Sequence, residues 1–147
     1  MKKFDEWNKV KKNIHKSKSK IFFKERDIFY IKMGENIGFE QSGKGDIFLR
    51  PAIVLKKFNN SFFMGVPLTS TIKDGKYYFT FEFKGKNSNA ILSQIRPFDT
   101  KRIKHKIGMI NKDYFKKLKE KIGKLYQYEL APLKNGDDPE GICSASI

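Results

Sequence analysis

Hydrophobic and polar positions alternate along this chain in blocks of two kinds. Phe4, Trp7, Val10 and Ile14 fall near helical spacing with lysines between them, which predicts a short amphipathic helix over residues 4–15. Asp5 and Glu6 in its first turn suit the positive end of a helix dipole. A polar linker, Lys16-Ser17-Lys18-Ser19-Lys20, follows. From Arg26 the pattern becomes that of strands rich in β-branched and aromatic residues. Residues 27–33, 51–55, 61–66, 77–83, 90–95 and 106–110 read as strands. They are punctuated by turns at Asn59-Asn60, Asp74-Gly75 and Gly85-Lys86-Asn87, and Pro51 is expected to open its strand. Residues 34–49 form a loop with four glycines, longer than a hairpin connection needs. Residues 99–103 predict a single helical turn. Asn111 caps a second helix that runs to about Tyr126, with Phe115, Leu118, Ile122 and Leu125 as its buried stripe.

Many short strands, tight turns and a closing helix describe a mainly β domain, a small antiparallel barrel with flanking helices. The expected organisation is a basic helical arm and linker at 1–20, a barrel domain at 21–128 and a flexible tail at 129–147. The arm has two readings: a helix docked on the barrel, which the Trp7 stripe favours, and a basic clamp for RNA.

Composition adds a partner class. The net charge is +15 at pH 7, which points to a polyanion, most commonly RNA or DNA. Lysine vastly outnumbers arginine, the pattern that A/T-rich coding also produces, so the charge alone does not decide function. The four arginines, Arg26, Arg50, Arg96 and Arg102, stand out against that background. A guanidinium offers a planar fork of donors that suits a phosphate. No apolar run is long enough to span a bilayer, the N-terminal segment lacks the apolar core of a signal peptide, and Cys143 stands alone, so a cytoplasmic location is expected.

Several chemistries are disfavoured by what the chain lacks. His15 and His105 are the only histidines and sit far apart in sequence, one in the arm and one among lysines. There is no Cys/His spacing for zinc, no aspartate-rich constellation for two metals and no phosphate-loop motif. Metal-free and cofactor-free chemistry is the expectation.

Four dispersed strings remain: Gly38-Phe39-Glu40-Gln41-Ser42-Gly43, Arg50-Pro51, Pro67-Leu68-Thr69-Ser70 and Gln94-Ile95-Arg96. In order and spacing this set resembles the MazF/PemK family of toxin endoribonucleases, over about residues 24–126. The resemblance implies an SH3-like barrel, usually paired as a homodimer, that cuts single-stranded mRNA in a sequence-selective way and arrests growth. It implies a small antitoxin partner with an acidic segment. Cleavage without metal would use the RNA 2′-hydroxyl as nucleophile and leave 2′,3′-cyclic phosphate and 5′-hydroxyl ends.

By the same resemblance Arg50 is catalytic, stabilising charge on the scissile phosphate, against the alternative of a surface arginine paired with Asp46 or Glu40. Thr69 contacts that phosphate, and Glu40 assists as base or reads a base edge. Phe39, Gln41, Lys44, Ser70, Gln94 and Arg96 are expected to bind RNA. Phe39 either stacks on an unpaired base or fills the core. Gln94 and Arg96, taken to end the strand at 90–95, shape the site; Arg96 alternatively anchors Asp99. Lys44 to Leu49 lengthen the loop relative to many members, and Ser93 and Phe39 stand where some carry an acidic residue and a histidine. Two other functions stay open: a non-catalytic RNA-binding barrel, and a gyrase-poisoning toxin on the same fold.

Overall fold

The computed structural model describes residues 1–18 and 20–127. The tail expected at 129–147 lies outside the described residues. Seven strands and two helices occur in the order α1 (Phe4–Lys16), β1 (Asp27–Lys32), β2 (Leu49–Asn59), β3 (Phe62–Thr69), β4 (Tyr78–Phe83), β5 (Lys86–Ile91), β6 (Arg96–Asp99), β7 (Ile103–Met109) and α2 (Lys112–Leu125). Every pairing is antiparallel, with the sheet order β4-β5-β3-β2-β1-β7 and β6 paired to β3. The two ends of that path meet through side chains. Lys84 Nζ donates to Ile107 O, and Phe83 packs against Gly108. The result is the mainly β, antiparallel barrel with flanking helices that the pattern predicts.

β2 is the central strand, and its apolar run reflects burial on both faces. Ile53 points into a cluster with Ile28, Val66, Phe81, Phe115 and Leu118 beneath α2. Its neighbours Ala52 and Val54 point the other way, to Phe23, Phe29, Ile31, Phe63 and Phe98. That is the period-two alternation of a pleated strand. Asn111 caps α2 as predicted, accepting from Asp113 N at 2.7 Å and Tyr114 N at 3.3 Å.

Several boundaries differ from expectation: β2, β3 and β7 run over 49–59, 62–69 and 103–109 where the pattern predicts 51–55, 61–66 and 106–110. The run at 90–95 is not one strand. β5 begins earlier, at Lys86, after a Lys84-Gly85 turn in which both residues have positive φ. It ends at Ile91, where one turn of 3-10 helix, Leu92–Gln94, redirects the chain. A strand that the pattern does not predict, β6, then leaves the C-terminal half of β3, where β5 pairs, and joins the N-terminal half, Phe62–Gly65. Gln94 therefore sits in the turn and Arg96 opens the next strand. Pro51 is the third residue of β2, opposite Tyr30. Its missing N–H is tolerated because β3 pairing begins only at Ala52.

The arm is docked. Trp7 and Ile14 are buried, Val10 packs beside them, and Phe4 stays half-exposed.

Candidate active site

The four strings, spread over more than fifty residues, meet at one end of the barrel and are tied together by hydrogen bonds. Arg50 makes the central link. Its Nε donates to Ser42 O at 2.7 Å, and its Nη1 donates to Leu68 O at 3.1 Å. One guanidinium thus joins the first, second and third strings. The remaining N–H groups of this fork have no protein partner among the described residues, and neither Asp46 nor Glu40 pairs with it. Desolvation by burial pushes the Arg50 guanidinium below its ordinary value. A half-buried cation with spare donors and no counter-charge is suited to an anion.

Gln94 makes the second link. Its Oε1 accepts from Gln41 N at 3.1 Å, and its Nε2 reaches Phe39 O at 3.4 Å. The side chain thus holds the backbone on both sides of Glu40. Glu40 also braces its own loop: its backbone N donates to Ile37 O and its Oε1 accepts from Ile37 N, both at 3.0 Å. The second carboxylate oxygen is left free of hydrogen bonds among the described residues.

Gly43 ends the first string for a steric reason. A Cβ there would lie 1.7 Å from Phe48 O, so the loop closes on itself only with glycine. Lys44 then pairs with Leu49 through reciprocal backbone bonds of 2.8 and 2.9 Å, so residues 44–49 form a pinched turn.

A cleft of about 420 Å³ opens beside these links, lined by Glu40, Gln41, Pro67, Ser93, Gln94 and Arg96 among others. Arg50 and Thr69 are not in its lining. They stand next to it through Leu68, which separates Pro67 of the cleft wall from Thr69. Thr69 ends β3 with Oγ1 accepting from Thr71 N at 3.2 Å, which leaves the hydroxyl proton available to donate. Ser70 and Lys44 are exposed.

Phe39 is 100% exposed, so the core-filling alternative fails. Ile37 beside it is 76% exposed, and the two make an apolar loop tip. Arg96 does not pair with Asp99, whose carboxylate accepts from Lys101 N. Its guanidinium carbon lies 4.8 Å from the Phe98 ring centroid, a cation–π contact, while Arg96 also lines the cleft.

Two contributors escaped sequence reasoning. Asn89, opposite Thr69 in the β3–β5 register, is fully buried. Its Nδ2 donates to Lys73 O at 2.9 Å and its Oδ1 accepts from Thr80 at 3.1 Å, so it anchors the segment that follows Thr69. An asparagine amid a strand of Ser, Asn and Ala carries no local sign of that. Arg102 donates through Nη1 to Lys32 O and Met33 O, both at 3.1 Å, and holds the start of the long loop. Desolvation first, then the charge of Arg96, pushes its guanidinium down, with Asp99 opposing.

The sequence profile described as "PemK-like, MazF-like toxin of type II toxin-antitoxin system" matches residues 24–126. No curated protein sequence matches the chain significantly. Among solved structures, the fold is similar to MazF (Form-I) from Deinococcus radiodurans, with a TM-score of 0.59 and 21% identity over 71% of this chain and 96% of that one. It is also similar to the Mycobacterium tuberculosis toxin MazF-mt6, with a TM-score of 0.54 and 13% identity over 71% of this chain and 100% of that one. A mycobacterial endoribonuclease in complex with its cognate antitoxin gives a TM-score of 0.55 and 8% identity over 74% and 100%. At these identities the structural likeness is one of fold. α1 lies outside the matched residues.

Proposed function

This chain belongs to the PemK-like, MazF-like toxins of type II toxin–antitoxin systems, and from that premise we propose that it is a metal-independent endoribonuclease acting on single-stranded mRNA. The observation that carries the reading is the Arg50 fork. It ties Ser42 and Leu68 together and leaves donors unused at the meeting point of all four strings.

The chemistry follows from what RNA brings. The 2′-hydroxyl oxygen attacks the adjacent phosphorus, the O2′–P bond forms and the P–O5′ bond breaks. The free carboxylate oxygen of Glu40 takes the 2′ proton, and the departing 5′ oxygen takes a proton from solvent. Negative charge builds on the phosphate oxygens as this proceeds. Arg50 and the Thr69 hydroxyl meet that charge with donors fixed in advance, so little reorganisation is needed at the moment of reaction. The products are a 2′,3′-cyclic phosphate and a 5′-hydroxyl. Phe39 and Ile37 at the loop tip offer a stacking surface for an unpaired base. Gln41, Lys44, Ser70 and Arg96 bind the flanking nucleotides, and Gln94 holds the loop that carries Glu40. The toxin works in the cytoplasm as a homodimer, and the acidic segment of a small antitoxin competes for the Arg50 and Arg96 guanidinium groups at the same site.

Incubation of the purified protein with long single-stranded RNA in EDTA tests this. Cleavage with 5′-hydroxyl ends, lost in Arg50→Ala, is expected. Binding without turnover would establish a non-catalytic RNA-binding barrel instead. Intact mRNA with DNA breaks after induction would establish a gyrase poison.

A further inference from the structure

The arm lies outside the residues that the family profile matches, and beside it runs the long loop before Arg50. They pack on each other. Trp7 meets Phe48 edge-on with ring centroids 5.5 Å apart, and Val10 and Ile14 complete the cluster. Phe48 comes from the turn at residues 44–49, is 3% exposed and adopts φ +55, a conformation that non-glycine residues rarely take. Gly34 starts the loop with φ +98, and a Cβ there would sit 2.5 Å from the Trp7 indole. The indole therefore lies against loop backbone with no room between.

Polar contacts fix the helix at both ends. Lys2 Nζ donates to Asn36 O and Gly38 O, and Lys3 N donates to Glu35 Oε2 at 3.2 Å. At the other end Lys101 Nζ donates to His15 O at 3.1 Å. Arg102 stands 5.7 Å from the Trp7 ring while it holds Lys32 O and Met33 O.

From Trp7 a short path of contacts leads to Arg50. Gly34, under the indole, accepts from Gly43 N at 2.8 Å. Phe48 O accepts from Met33 N at 2.8 Å, closing the loop's two ends. Between them Ser42 Oγ accepts from Asn36 N at 2.9 Å, and Ser42 O accepts from Arg50 Nε. The carbonyl that orients Arg50 thus belongs to the loop that α1 covers.

We infer that α1 braces the catalytic loop and that Trp7 is a positioning residue for Arg50, acting through Gly34 and Phe48 on Ser42. This rests on the nuclease reading for its effect on rate, and on geometry alone for its effect on the loop. A merely stabilising arm would change melting and leave the rate of folded enzyme untouched.

The test uses the full chain. Trp7→Ala, Trp7→Phe and a Lys9→Ala/Lys12→Ala pair are compared with wild type at a temperature where all are folded, by single-turnover cleavage of single-stranded RNA and by amide exchange over residues 33–49. Misplacement of a catalytic group by about 1 Å can cost ~100-fold in rate. Trp7→Ala is expected to lower kcat at least ~10-fold with KM within about threefold, and to speed exchange across residues 33–49 but not in β3 or β5. Trp7→Phe restores most of both, and the lysine pair leaves kcat unchanged. Unchanged kcat in Trp7→Ala, or a fall without faster loop exchange, overturns the inference. So does an equal fall in the lysine pair, which would make the arm an RNA contact. If Trp7→Ala melts too low, Phe48→Leu carries the same comparison. If wild type does not cut RNA, the nuclease reading fails, and the brace still stands or falls on loop exchange alone.

Discussion

Arg50 Nη1 donates to Leu68 O at 3.1 Å, so the guanidinium is fastened at the root of Thr69, the residue next along β3. The second bond of the same fork, from Nε to Ser42 O, comes from a different side. A lysine cannot reproduce this arrangement, because its donors all sit on one nitrogen, whereas the Arg50 bonds leave from Nε and Nη1 of a planar fork that keeps further N–H groups for a phosphate. Arg50→Lys is therefore expected to keep RNA binding within a few-fold and to lose kcat by about 10²–10³, the loss typical of one misplaced oxyanion donor. A cleavage series with a separate binding measurement on uncleavable 2′-O-methyl RNA checks this. Burial lowers the Arg50 value, so the folded state carries a cost for the charged form that is constant below the folded value and relieved only as pH rises through it.

Glu40 has two separable duties. Oε1 holds Ile37 N, and the other oxygen is free to take a proton. Glu40→Gln keeps an acceptor for Ile37 and loses the base. It should retain loop geometry and melting temperature while kcat falls by about 10²–10⁴. If Glu40→Gln cuts RNA at the wild-type rate, the carboxylate is only a loop brace.

The barrel was legible because its strands carry β-branched and aromatic residues in period two, and α2 because its stripe and Asn111 cap agree. β6 was not, because its four residues follow Gln94-Ile95 without a turn signal and include Pro97. Only the tertiary demand of the N-terminal half of β3 for a partner makes Arg96–Asp99 a strand. The candidate residues were legible as strings, yet their mutual contacts were not. Nothing local says that Gln94 reaches back 53 residues to Gln41, or that Asp46 leaves Arg50 alone. The arm's docking was favoured by Trp7, but its target, Phe48, is an aromatic in a loop and carries no such sign.

Gln94 should matter as a clamp and not as an RNA contact. Gln94→Ala removes both bonds to the backbone around Glu40, at a cost of about 1 kcal/mol in stability. Gln94→Glu keeps the acceptor for Gln41 N and loses the weaker donor. The alanine variant should therefore show the larger fall in kcat, and chemical denaturation alongside single-turnover rates will separate the two. A larger effect on RNA affinity than on kcat in both variants would make Gln94 a substrate ligand instead.

Thr69 presents a hydroxyl whose lone pair is used by Thr71 N and whose proton is free. Thr69→Ser preserves both and should retain activity within a few-fold. Thr69→Val keeps the branched shape, loses the donor and should cost about 1.5–3 kcal/mol of transition-state stabilisation, the scale of a hydrogen bond to a charged group. Rates that are equal for the serine and valine variants would remove Thr69 from the chemistry.

Asn89 offers the sharpest test of how Thr69 is held. It is fully buried, and its amide satisfies Lys73 O while its carbonyl satisfies Thr80. Asn89→Ala leaves Lys73 O without this donor and Thr80 without its acceptor, and each hydrogen bond lost is worth about 0.5–1.5 kcal/mol. Thr80→Val removes only the Thr80 side of this arrangement, so Asn89 still anchors the segment after Thr69. The expected pattern is a stability loss in both variants, larger for Asn89→Ala, but a loss of cleavage in Asn89→Ala alone. Melting curves and single-turnover rates on the same samples distinguish this from a general loosening of the β4–β5 hairpin, in which activity would track stability across the two variants.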